Sequence, residues 1–315
     1  MPADANPVQK GDGPSKPGIS VIIPTYGREE VLLDTIDYLL KTEPPPSEIL
    51  VIDQTPVHEP ATAERLERLT ASGAMNRICL DRPSITHAMN VGLLEARNDI
   101  VLFLDDDIIP DKGLVAAHAR DHEEPGVTIV AGRVLQPWEE GVPADDGAGL
   151  FRFSSVKRQW ISELMGGNFS IKRRTALQIG GFDENFVRVA YRFEAEFAER
   201  ALAAGERILF EPEAGIRHLK AERGGTRSFG HHLTTIKPGH AVGAYYYHLR
   251  TGSLSERFRG MTGRLCRSVT TRHHLRRPWW IVPTLVAELS GLLWALFLAS
   301  RGPRLLDGGD RRGTT

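Results

Sequence analysis

Short runs of β-branched and aliphatic residues alternate with helical patterns through the first part of the chain, and this alternation constrains the fold most. Buried-strand patterns occupy "ISVIIPTYG" (19–27), "EILVIDQT" (48–55), "RICL" (77–80) and "DIVLFLDDD" (99–107). Helical spacing or helix-favouring composition fills the intervals between them. Strands that alternate with helices predict an α/β fold, with a Rossmann-like, mostly parallel sheet covered by helices.

Polar residues follow three of the predicted strands at the point where each strand ends. They are "PTYG" after the first strand, Asp53 at the end of the second, and the triplet 105–107 after the fourth. In parallel α/β sheets, ligands bind beyond the carboxyl ends of the strands. The three loops are therefore predicted to converge on one ligand site.

The consecutive carboxylates Asp105, Asp106 and Asp107 repel one another, so the triplet predicts a compensating cation or an array of hydrogen-bond donors. Asp105 and Asp107 are two residues apart at a strand end, so their side chains share a face. Such oxygens suit Mg²⁺ or Mn²⁺, which keep positions open for the phosphate oxygens of a diphosphate. His218, at the end of a later predicted strand, could supply a third ligand. Aspartates are also common in turns, so the triplet alone does not decide for a metal.

Two glutamates in a later helix are candidate general bases. Residues 192–205 form an amphipathic helical pattern that ends in a glycine. Glu194 and Glu196 are two residues apart on this helix, so only one of them can face a given site squarely. Either could be the base, although most helical glutamates are merely solvated.

Composition and the chain ends exclude some classes of protein. The formal net charge is −1, which gives no basic footprint for nucleic acid. Two cysteines, Cys79 and Cys266, in no CxxC arrangement indicate neither a disulfide framework nor a zinc site. Residues 1–18 lack the apolar core of a signal peptide, so we predict a disordered leader on a protein that starts in the cytoplasm. Residues 301–315 are predicted to form a disordered tail.

A long apolar segment lies near the C-terminus. As a helix, residues 281–299 would extend about 28 Å, close to the hydrocarbon thickness of a bilayer. Glu288 and Pro283 fit a helix that lies in the interface, or packs on protein, at least as well. A buried core helix is the alternative without a membrane.

The stretch 250–277, before this segment, is strongly basic. It combines apolar residues at helical spacing with a single acid, Glu256, and eight arginines: Arg250, Arg257, Arg259, Arg264, Arg267, Arg272, Arg276 and Arg277. A basic amphipathic helix beside an apolar segment is typical of elements that lie on anionic lipid headgroups. A solvated basic face packed on its own domain is the alternative. We predict a cytoplasmic protein, peripheral or C-terminally anchored at the inner face of the plasma membrane.

Five blocks in fixed order resemble those of glycosyltransferase family 2 over roughly residues 19–218. They are "SVIIPTYGREEVLLDTIDYLL", "ILVIDQT", "NVGLLEARNDIVLFLDDD", "GGNFSIKRRTALQIGGFDENF" and "EAEFAERALAAGERILFEPEAGIRH". The resemblance implies a GT-A fold and an inverting transfer of a sugar from a nucleotide-diphosphate donor, with a divalent cation. We accordingly predict a catalytic GT-A domain over 19–225 and a helical extension, suited to membrane association, over 226–300.

By position in these blocks, the resemblance implies roles for individual residues. The implied donor-binding residues are Pro24, Thr25, Tyr26, Arg28, Asp53, Arg82, Asp105 and Asp106. The implied ligands of Mn²⁺ or Mg²⁺ are Asp105, Asp107 and His218. The implied acceptor or sugar loop is Gly166, Gly167 and Asn168. Glu194 falls at the position of the general base that deprotonates the acceptor hydroxyl.

Three positions depart from the family pattern. Gln54 stands where a second acid is frequent, which leaves the base and ribose contacts open. Met89 stands where an arginine is common, so a phosphate contact is either missing or supplied by Arg82. The usual Glu-Asp pair reads Phe193-Glu194, which makes the base longer by one methylene, and misplacement on that scale can affect the rate.

The prediction is a metal-assisted, inverting glycosyltransferase that moves a hexosyl or deoxyhexosyl group to a hydroxyl of a glycan or lipid-linked acceptor. A catalytically degenerate, membrane-associated protein that binds a sugar nucleotide is the non-enzymatic alternative, and Phe193 keeps it open. A sugar nucleotidyltransferase is the less favoured enzyme alternative. It would require a Gly-rich phosphate loop with a nearby Lys or Arg after the first strand, which "PTYGREE" does not resemble. The sequence leaves the donor nucleotide, the sugar and the acceptor open.

Overall fold

A computed structural model describes residues 18–139 and 151–307 of the chain. Apart from Gly18, the predicted leader lies outside the described residues, and so does the part of the predicted tail at 308–315.

The strands and helices alternate as predicted through the first half of the chain. The strands are β1 (Ile19–Thr25), β2 (Glu48–Asp53), β3 (Asn76–Cys79), β4 (Ile100–Leu104), β5 (Ile108–Pro110), β6 (Ile129–Leu135), β7 (Gln159–Ile161), β8 (Asn168–Lys172) and β9 (Ile208–His218). The helices are α1 (Glu30–Leu39), α2 (Pro60–Ala71), α3 (Ile85–Glu95), α4 (Leu114–Glu123), α5 (Arg173–Gln178), α6 (Phe193–Ala203), α7 (Val242–Arg250), α8 (Leu254–Val269), α9 (Arg272–Arg276) and α10 (Ile281–Ser300).

Within the described ranges, these nine strands form one sheet in the order β3-β2-β1-β4-β8-β6-β9-β5, and β7 also pairs with β9. Strands β3, β2, β1 and β4 run parallel, which is the arrangement that the alternation predicts. Strand β8 runs antiparallel to β4 and β6, whereas β6 and β9 are parallel. The short strands β5 and β7 are antiparallel to β9. The sheet is therefore parallel in its first half and mixed beyond β4.

Strand β5 has no counterpart in the sequence prediction, and it positions the candidate site. The chain leaves β4 at Leu104, passes through the aspartate triplet, and resumes as a strand at Ile108. Ile108 pairs with His218 in the antiparallel ladder between β5 and β9. This pairing brings His218 beside Asp107, although the two residues are 111 positions apart in sequence.

Helices cover both faces of the sheet. Helices α1, α2 and α4 bury Leu32, Leu66 and Leu114 on one face. On the other face, helices α3, α5, α6 and α7 pack around a group of phenylalanines, in which the rings of Phe182 and Phe197 stack with centroids 4.5 Å apart. Burying each such side chain stabilises the fold by about 1.5–3 kcal/mol. The parallel strand ends are thereby held at one edge of a packed core.

The helical extension packs directly on the α/β part of the chain. The Tyr246 hydroxyl donates to Asp183 Oδ2 at 2.7 Å, and Asn185 Nδ2 donates to the same hydroxyl at 3.0 Å. The predicted basic helix over 250–277 is divided into α8 and α9, because the chain turns at Thr270 and Thr271 and the latter caps α9.

The start of the predicted disordered tail is corrected by the structure. Over residues 301–307, Leu306 N–H donates to Gly180 O at 2.8 Å, and Arg304 N–H donates to Asp183 Oδ1 at 2.9 Å. The side chain of Leu306 packs against the core. These contacts hold the segment because it carries apolar side chains that the core can bury.

Helix α10 has an inner face, which packs on protein, and an outer face. Together with the three residues before it, it forms the candidate membrane span among the described residues, Pro278–Ser300, with 23 residues, a mean hydropathy of 1.9 and 28% of its apolar window buried. The inner face packs on α7 and α8 and buries Thr284, Ala287, Glu288, Gly291 and Ala295. The outer face exposes apolar side chains to solvent.

Candidate active site

A cavity of about 540 Å³ opens at the carboxyl ends of β1 and β4. Its wall includes Pro24, Thr25 and Tyr26 from the end of β1, the triplet 105–107, and Gly166 and Gly167 before β8. Glu194 at the start of α6 and His218 at the end of β9 complete the constellation. The structure therefore brings most of the predicted site residues to one place.

Asp105, Asp107 and His218 form a compact group of potential metal ligands. One ligand atom from each lies within 4.8 Å of the others. His218 Nε2 lies 3.1 Å from Asp107 Oδ1 and 3.7 Å from Asp105 Oδ2. The other ring nitrogen, Nδ1, lies 3.1 Å from Gln136 Oε1, which can accept a hydrogen bond from Nδ1–H and leave Nε2 directed at the carboxylates.

The donor set fits Mn²⁺ or Mg²⁺. Two carboxylates and one imidazole supply the oxygen and nitrogen ligands that Mn²⁺ accepts, and the remaining positions stay open to the cavity. Gly167 makes room for the first carboxylate, since a Cβ at this position would lie 2.1 Å from Asp105 Oδ2. A side chain there would displace Asp105 from the group.

Arg28 lies behind the triplet and connects it to the segment after β9. Its Nε donates to Asp106 Oδ1 at 3.0 Å and its Nη2 to Asp107 Oδ2 at 3.3 Å. Its Nη1 donates to the carbonyl oxygens of Ala221 and Arg223. The Arg28 side chain is buried, so it contributes to the wall of the cavity chiefly by fixing the two aspartates.

Neighbouring charges set the protonation of the site. Burial by itself would raise the pKa of Asp107, but the hydrogen bond and charge of His218, with Arg28, hold it below the ordinary value. Burial likewise opposes the imidazolium form, yet the hydrogen bond to Asp107 and the charges of both carboxylates raise the pKa of His218. Burial raises the pKa of Asp106 to about 7 against the attraction of Arg28. Asp107 and His218 thus form a charged pair, whereas burial raises the pKa of Asp105.

The two candidate bases on α6 occupy different environments. Glu194 lines the cavity, and burial, with the nearby charge of Asp105, raises its pKa to about 7. Glu196 is 2% exposed and accepts two hydrogen bonds from Arg200, at 2.7 and 2.9 Å. Arg200 in turn donates to the carbonyl oxygens of Ile179 and Gly181, on either side of Gly180. Glu196 is therefore held in a structural ion pair, whereas Glu194 is available to a ligand.

The segment before α6 is strained and lines the same cavity. Arg188, Ala190 and Arg192 have φ angles of 64°, 52° and 73°, a region that side chains with a Cβ seldom adopt. Tight packing enforces this path, because Gly243 of α7 approaches so closely that a Cβ there would meet Tyr191 O at 2.7 Å. Strained backbone of this kind is concentrated at functional sites.

Three predicted site residues lie away from the cavity wall. Asp53 is 1% exposed and is bound by Arg77 Nη2 at 2.7 Å and His58 Nε2 at 2.8 Å. Asn168 points beneath the site, where its Nδ2 donates to Ala214 O at 2.8 Å. Arg82 is exposed on the loop before α3. The side chains of these residues are not among those that line the cavity in the described part of the chain.

The cavity also contains residues that sequence reasoning missed. Gln54 lines it and connects two loops, since its Nε2 donates to Thr25 O at 3.2 Å and its Oε1 accepts from Ser84 N–H at 2.5 Å. Gln136 and Tyr191 also lie in the wall. A polar residue directly after the second strand was the available signal for Gln54, whereas no sequence pattern singled out Gln136, which directly follows β6.

We expect that Arg28→Met lowers the free energy of unfolding by about 3 kcal/mol, because it leaves two buried carboxylates without their cation. Arg65→Met is the matched control, since Arg65 forms a half-exposed pair with Asp37 at 3.0 Å, and a loss below about 1 kcal/mol is expected there. Urea unfolding followed by circular dichroism measures both values. Equal losses in the two variants would contradict a central structural role for Arg28.

Comparisons with known proteins find glycosyltransferases among the proteins similar to this chain. Residues 20–176 match the model of the family described as "Glycosyl transferase family 2". An uncharacterized glycosyltransferase of Bacillus subtilis, YfnE, is 34% identical over 116 residues, which are 36% of this chain and 29% of that protein. The glucosyl-dolichyl phosphate glucuronosyltransferase of Haloferax volcanii is 22% identical over 220 residues, which are 64% of this chain and 68% of that protein. The match thus spans less than a third of the first relative.

A solved structure resembles the whole fold. The mannosyltransferase PcManGT from Pyrobaculum calidifontis, in complex with GDP-Man and Mn²⁺, superimposes with a TM-score of 0.55 at 20% identity, over 91% of this chain and 79% of that one. This likeness shows the GT-A fold. The match of residues 20–176 to the family model, with curated glycosyltransferases among the similar proteins, shows that the chain belongs to glycosyltransferase family 2, a family of sugar-transferring enzymes.

Proposed function

We propose that the protein is an inverting, metal-assisted glycosyltransferase that moves a sugar from a nucleotide-diphosphate donor to a hydroxyl of a glycan or lipid-linked acceptor. One observation carries the proposal: Asp105, Asp107, His218 and Glu194 face the same cavity. A ligand group for a cation on the donor diphosphate and a separate carboxylate for the acceptor are the two requirements of this chemistry.

The acids that line the cavity are assigned two roles, metal binding and proton abstraction. Among the described lining residues, the only acid outside the triplet is Glu194. Mn²⁺ or Mg²⁺ held by Asp105, Asp107 and His218 would stabilise negative charge on the departing nucleoside diphosphate as a Lewis acid. Glu194 accepts the proton of the acceptor hydroxyl. At the same time the hydroxyl oxygen of the acceptor bonds to the anomeric carbon, and the bond from that carbon to the diphosphate breaks. This single displacement inverts the anomeric centre.

The donor nucleoside is proposed to lie along the ends of β1 and β2. Pro24, Thr25 and Tyr26 form the wall there, and Gln54 and Ser84 extend it. Asp53 supports this wall from behind through its pairs with Arg77 and His58. The amide of Gln54, placed where the family often has a second acid, is a candidate contact for the base or ribose.

Metal-dependent nucleotide binding tests the donor half of the proposal. We expect one of UDP, GDP, dTDP or CDP to bind in the presence of Mn²⁺, and we expect Asp107→Asn to weaken that binding at least tenfold, because it removes an ionised metal ligand. Asp111→Asn is the matched control, since this exposed acid lies four residues further along the chain, directly after β5, and outside the metal group. Calorimetry measures both. Metal-independent binding, unchanged in Asp107→Asn, would contradict the metal assignment.

Turnover and its pH dependence test the role of Glu194. A general base acts only when deprotonated, and burial holds the pKa of Glu194 at about 7, so kcat/KM is expected to fall as the pH drops below that value. Glu194→Gln is expected to lower the rate about 10²- to 10⁴-fold, with donor binding retained. Release of nucleoside diphosphate in the presence of extracted membrane lipids measures the rate. Donor binding without turnover in the unmodified protein would favour the degenerate binding protein instead.

We further propose that the extension holds the enzyme at the inner face of the plasma membrane. The outer face of α10 is formed by Val282, Val286, Leu289, Leu293, Leu296 and Phe297, which are between 45% and 69% exposed. Exposed arginines flank it at both ends, namely Arg276 and Arg277 before the helix and Arg301 after it. An apolar stripe with basic ends complements an anionic lipid surface.

An orientation in the plane of the membrane fits α10 better than a crossing. The inner face carries Glu288, which is bound by Arg264 at 2.8 and 3.0 Å and is 6% exposed. Gly291 lies so close to Ala241 that a Cβ added at position 291 would be 2.5 Å from the Cβ of Ala241. A crossing helix would have to break this packing or carry an ion pair into lipid.

Vesicle binding tests this orientation. We expect the double variant Leu289→Glu and Leu293→Glu to lower cosedimentation with phosphatidylglycerol vesicles at least tenfold, because each leucine contributes apolar area to the lipid contact. The control is Val57→Glu, which alters a residue that is 83% exposed but lies on the catalytic part. Alkaline carbonate should release the unmodified protein from cell membranes. Resistance to carbonate would instead support a crossing helix.

A further inference from the structure

A second cavity, of about 290 Å³, lies between α7, α8 and α10. Tyr191 and Arg192, from the strained segment before α6, line both this cavity and the larger one. The second cavity therefore adjoins the candidate active site through a shared wall. Its lining includes Thr284 and Glu288 on the inner face of α10, the face opposite the proposed membrane contact.

Positive charge dominates the wall of the second cavity. Arg192, Arg264 and Arg267 line it together with His232 and His248. The acid in its described wall is Glu288, and Arg264 already occupies both carboxylate oxygens. Among the described residues, the side chains of Arg192 and Arg267 make no ion pair with an acid. Two guanidinium groups with five donors each are thus available to a ligand.

The surrounding groups respond to this excess of positive charge. Burial and the charges of Arg192, Arg264 and Arg267 lower the pKa of His248. Burial, followed by the neighbouring His231, His240 and Arg264, lowers the pKa of His232. Like charges held together in a partly enclosed space raise the free energy of the protein, and a bound anion would offset that cost.

We propose that this second cavity binds the phosphate or diphosphate group of the acceptor. The inference rests on the proposed transfer of a sugar to a lipid-linked acceptor, and it names the part of that acceptor that the protein recognises. Guanidinium groups match phosphate oxygens through pairs of parallel N–H donors. An acceptor held in lipid by its chain would place its phosphate at the cavity and extend its hydroxyl-bearing part past Tyr191 to Glu194.

The position of Arg192 supports this arrangement. Its guanidinium lies 5.1 Å from the ring centre of Tyr247 and 5.9 Å from that of Tyr191, so aromatic faces hold it without neutralising its charge. Arg267, on α8, lines the same cavity and is exposed. A phosphate between the two elements would join the catalytic part to the extension.

Binding of a small diphosphate without metal tests the proposal on the full-length protein. Inorganic pyrophosphate and geranyl diphosphate serve as probes in the presence of EDTA, which suppresses metal-dependent binding at the donor site, and geraniol serves as the uncharged comparison. Arg267→Gln is expected to weaken binding of both anions about tenfold, because it removes a charge-assisted contact. Arg259→Gln is the matched control, since Arg259 is exposed on the same helix outside the cavity, and it should change the affinity less than twofold. Geraniol should not bind.

The outcomes separate the sources of the anion. Equal loss in Arg267→Gln and Arg259→Gln, or no binding of either anion, would overturn the proposal. If Arg267→Gln weakens only cosedimentation with phosphatidylglycerol vesicles and leaves both diphosphates unaffected, the cavity contacts lipid headgroups and the acceptor assignment is wrong. Nucleotide binding with Mn²⁺ is measured on the same variants and should be unchanged in Arg267→Gln. Failure of that nucleotide binding in the unmodified protein would refute the proposed function, whereas the metal-free measurement reports on the second cavity alone.

Discussion

The whole site depends on how the protein holds three consecutive carboxylates together. Two unit charges about 4 Å apart repel by roughly 4 kcal/mol at the effective dielectric constant of a protein surface. The structure divides the triplet between two environments. Asp106 turns inward, where Thr25 Oγ1 and Arg28 Nε donate to it at 2.8 and 3.0 Å. Asp107 turns toward His218 and accepts from Ala221 N–H at 2.8 Å. Asp105 remains in the cavity wall, so the repulsion is offset on one side by fixed donors and is left on the other side for a cation.

The same contacts organise the loops around the cavity. Arg28 lies after β1, the triplet follows β4, and the carbonyls that Arg28 reaches follow β9. Gly225 N–H also donates to Tyr26 O at 2.7 Å, which fastens the segment after β9 to the loop after β1. The Thr35 hydroxyl donates to Asp106 O at 3.1 Å and accepts from Ile108 N–H at 3.1 Å, which fixes the backbone at the end of the triplet. Ligand groups that are fixed by such supporting contacts need little reorganisation when a charged substrate arrives.

Local patterns predict the elements of this site better than they predict its internal contacts. The alternation of strands and helices placed the ends of β1 and β4 together correctly, because that arrangement depends only on period and on the rules for parallel sheets. The distinction between Glu194 and Glu196 depends on Arg200, which reaches back to the Gly180–Gly181 turn, and spacing on the helix does not contain that information. The inward positions of Asp53 and Asn168 likewise depend on Arg77, His58 and Ala214, which meet them only in the folded chain. Strand β5 is three residues long, below the length at which a periodic pattern can be recognised.

Helix α10 shows why the sequence left its role open. An apolar run of this length fits a membrane span, an interfacial helix or a core helix, and the separating fact is which residues face protein. The fold puts Glu288, Gly291 and Ala295 on the packed side, and the exposed apolar residues from Val282 to Phe297 form a single stripe on the opposite side. The Glu288 side chain also lies in the wall of the second cavity, where it holds Arg264 in place. Helix α10 thus exposes an apolar stripe on one side and fixes Arg264 of α8 on the other, so the proposed lipid contact and the cationic cavity lie on opposite sides of one helix, and that cavity shares Tyr191 and Arg192 with the cavity that Glu194 lines.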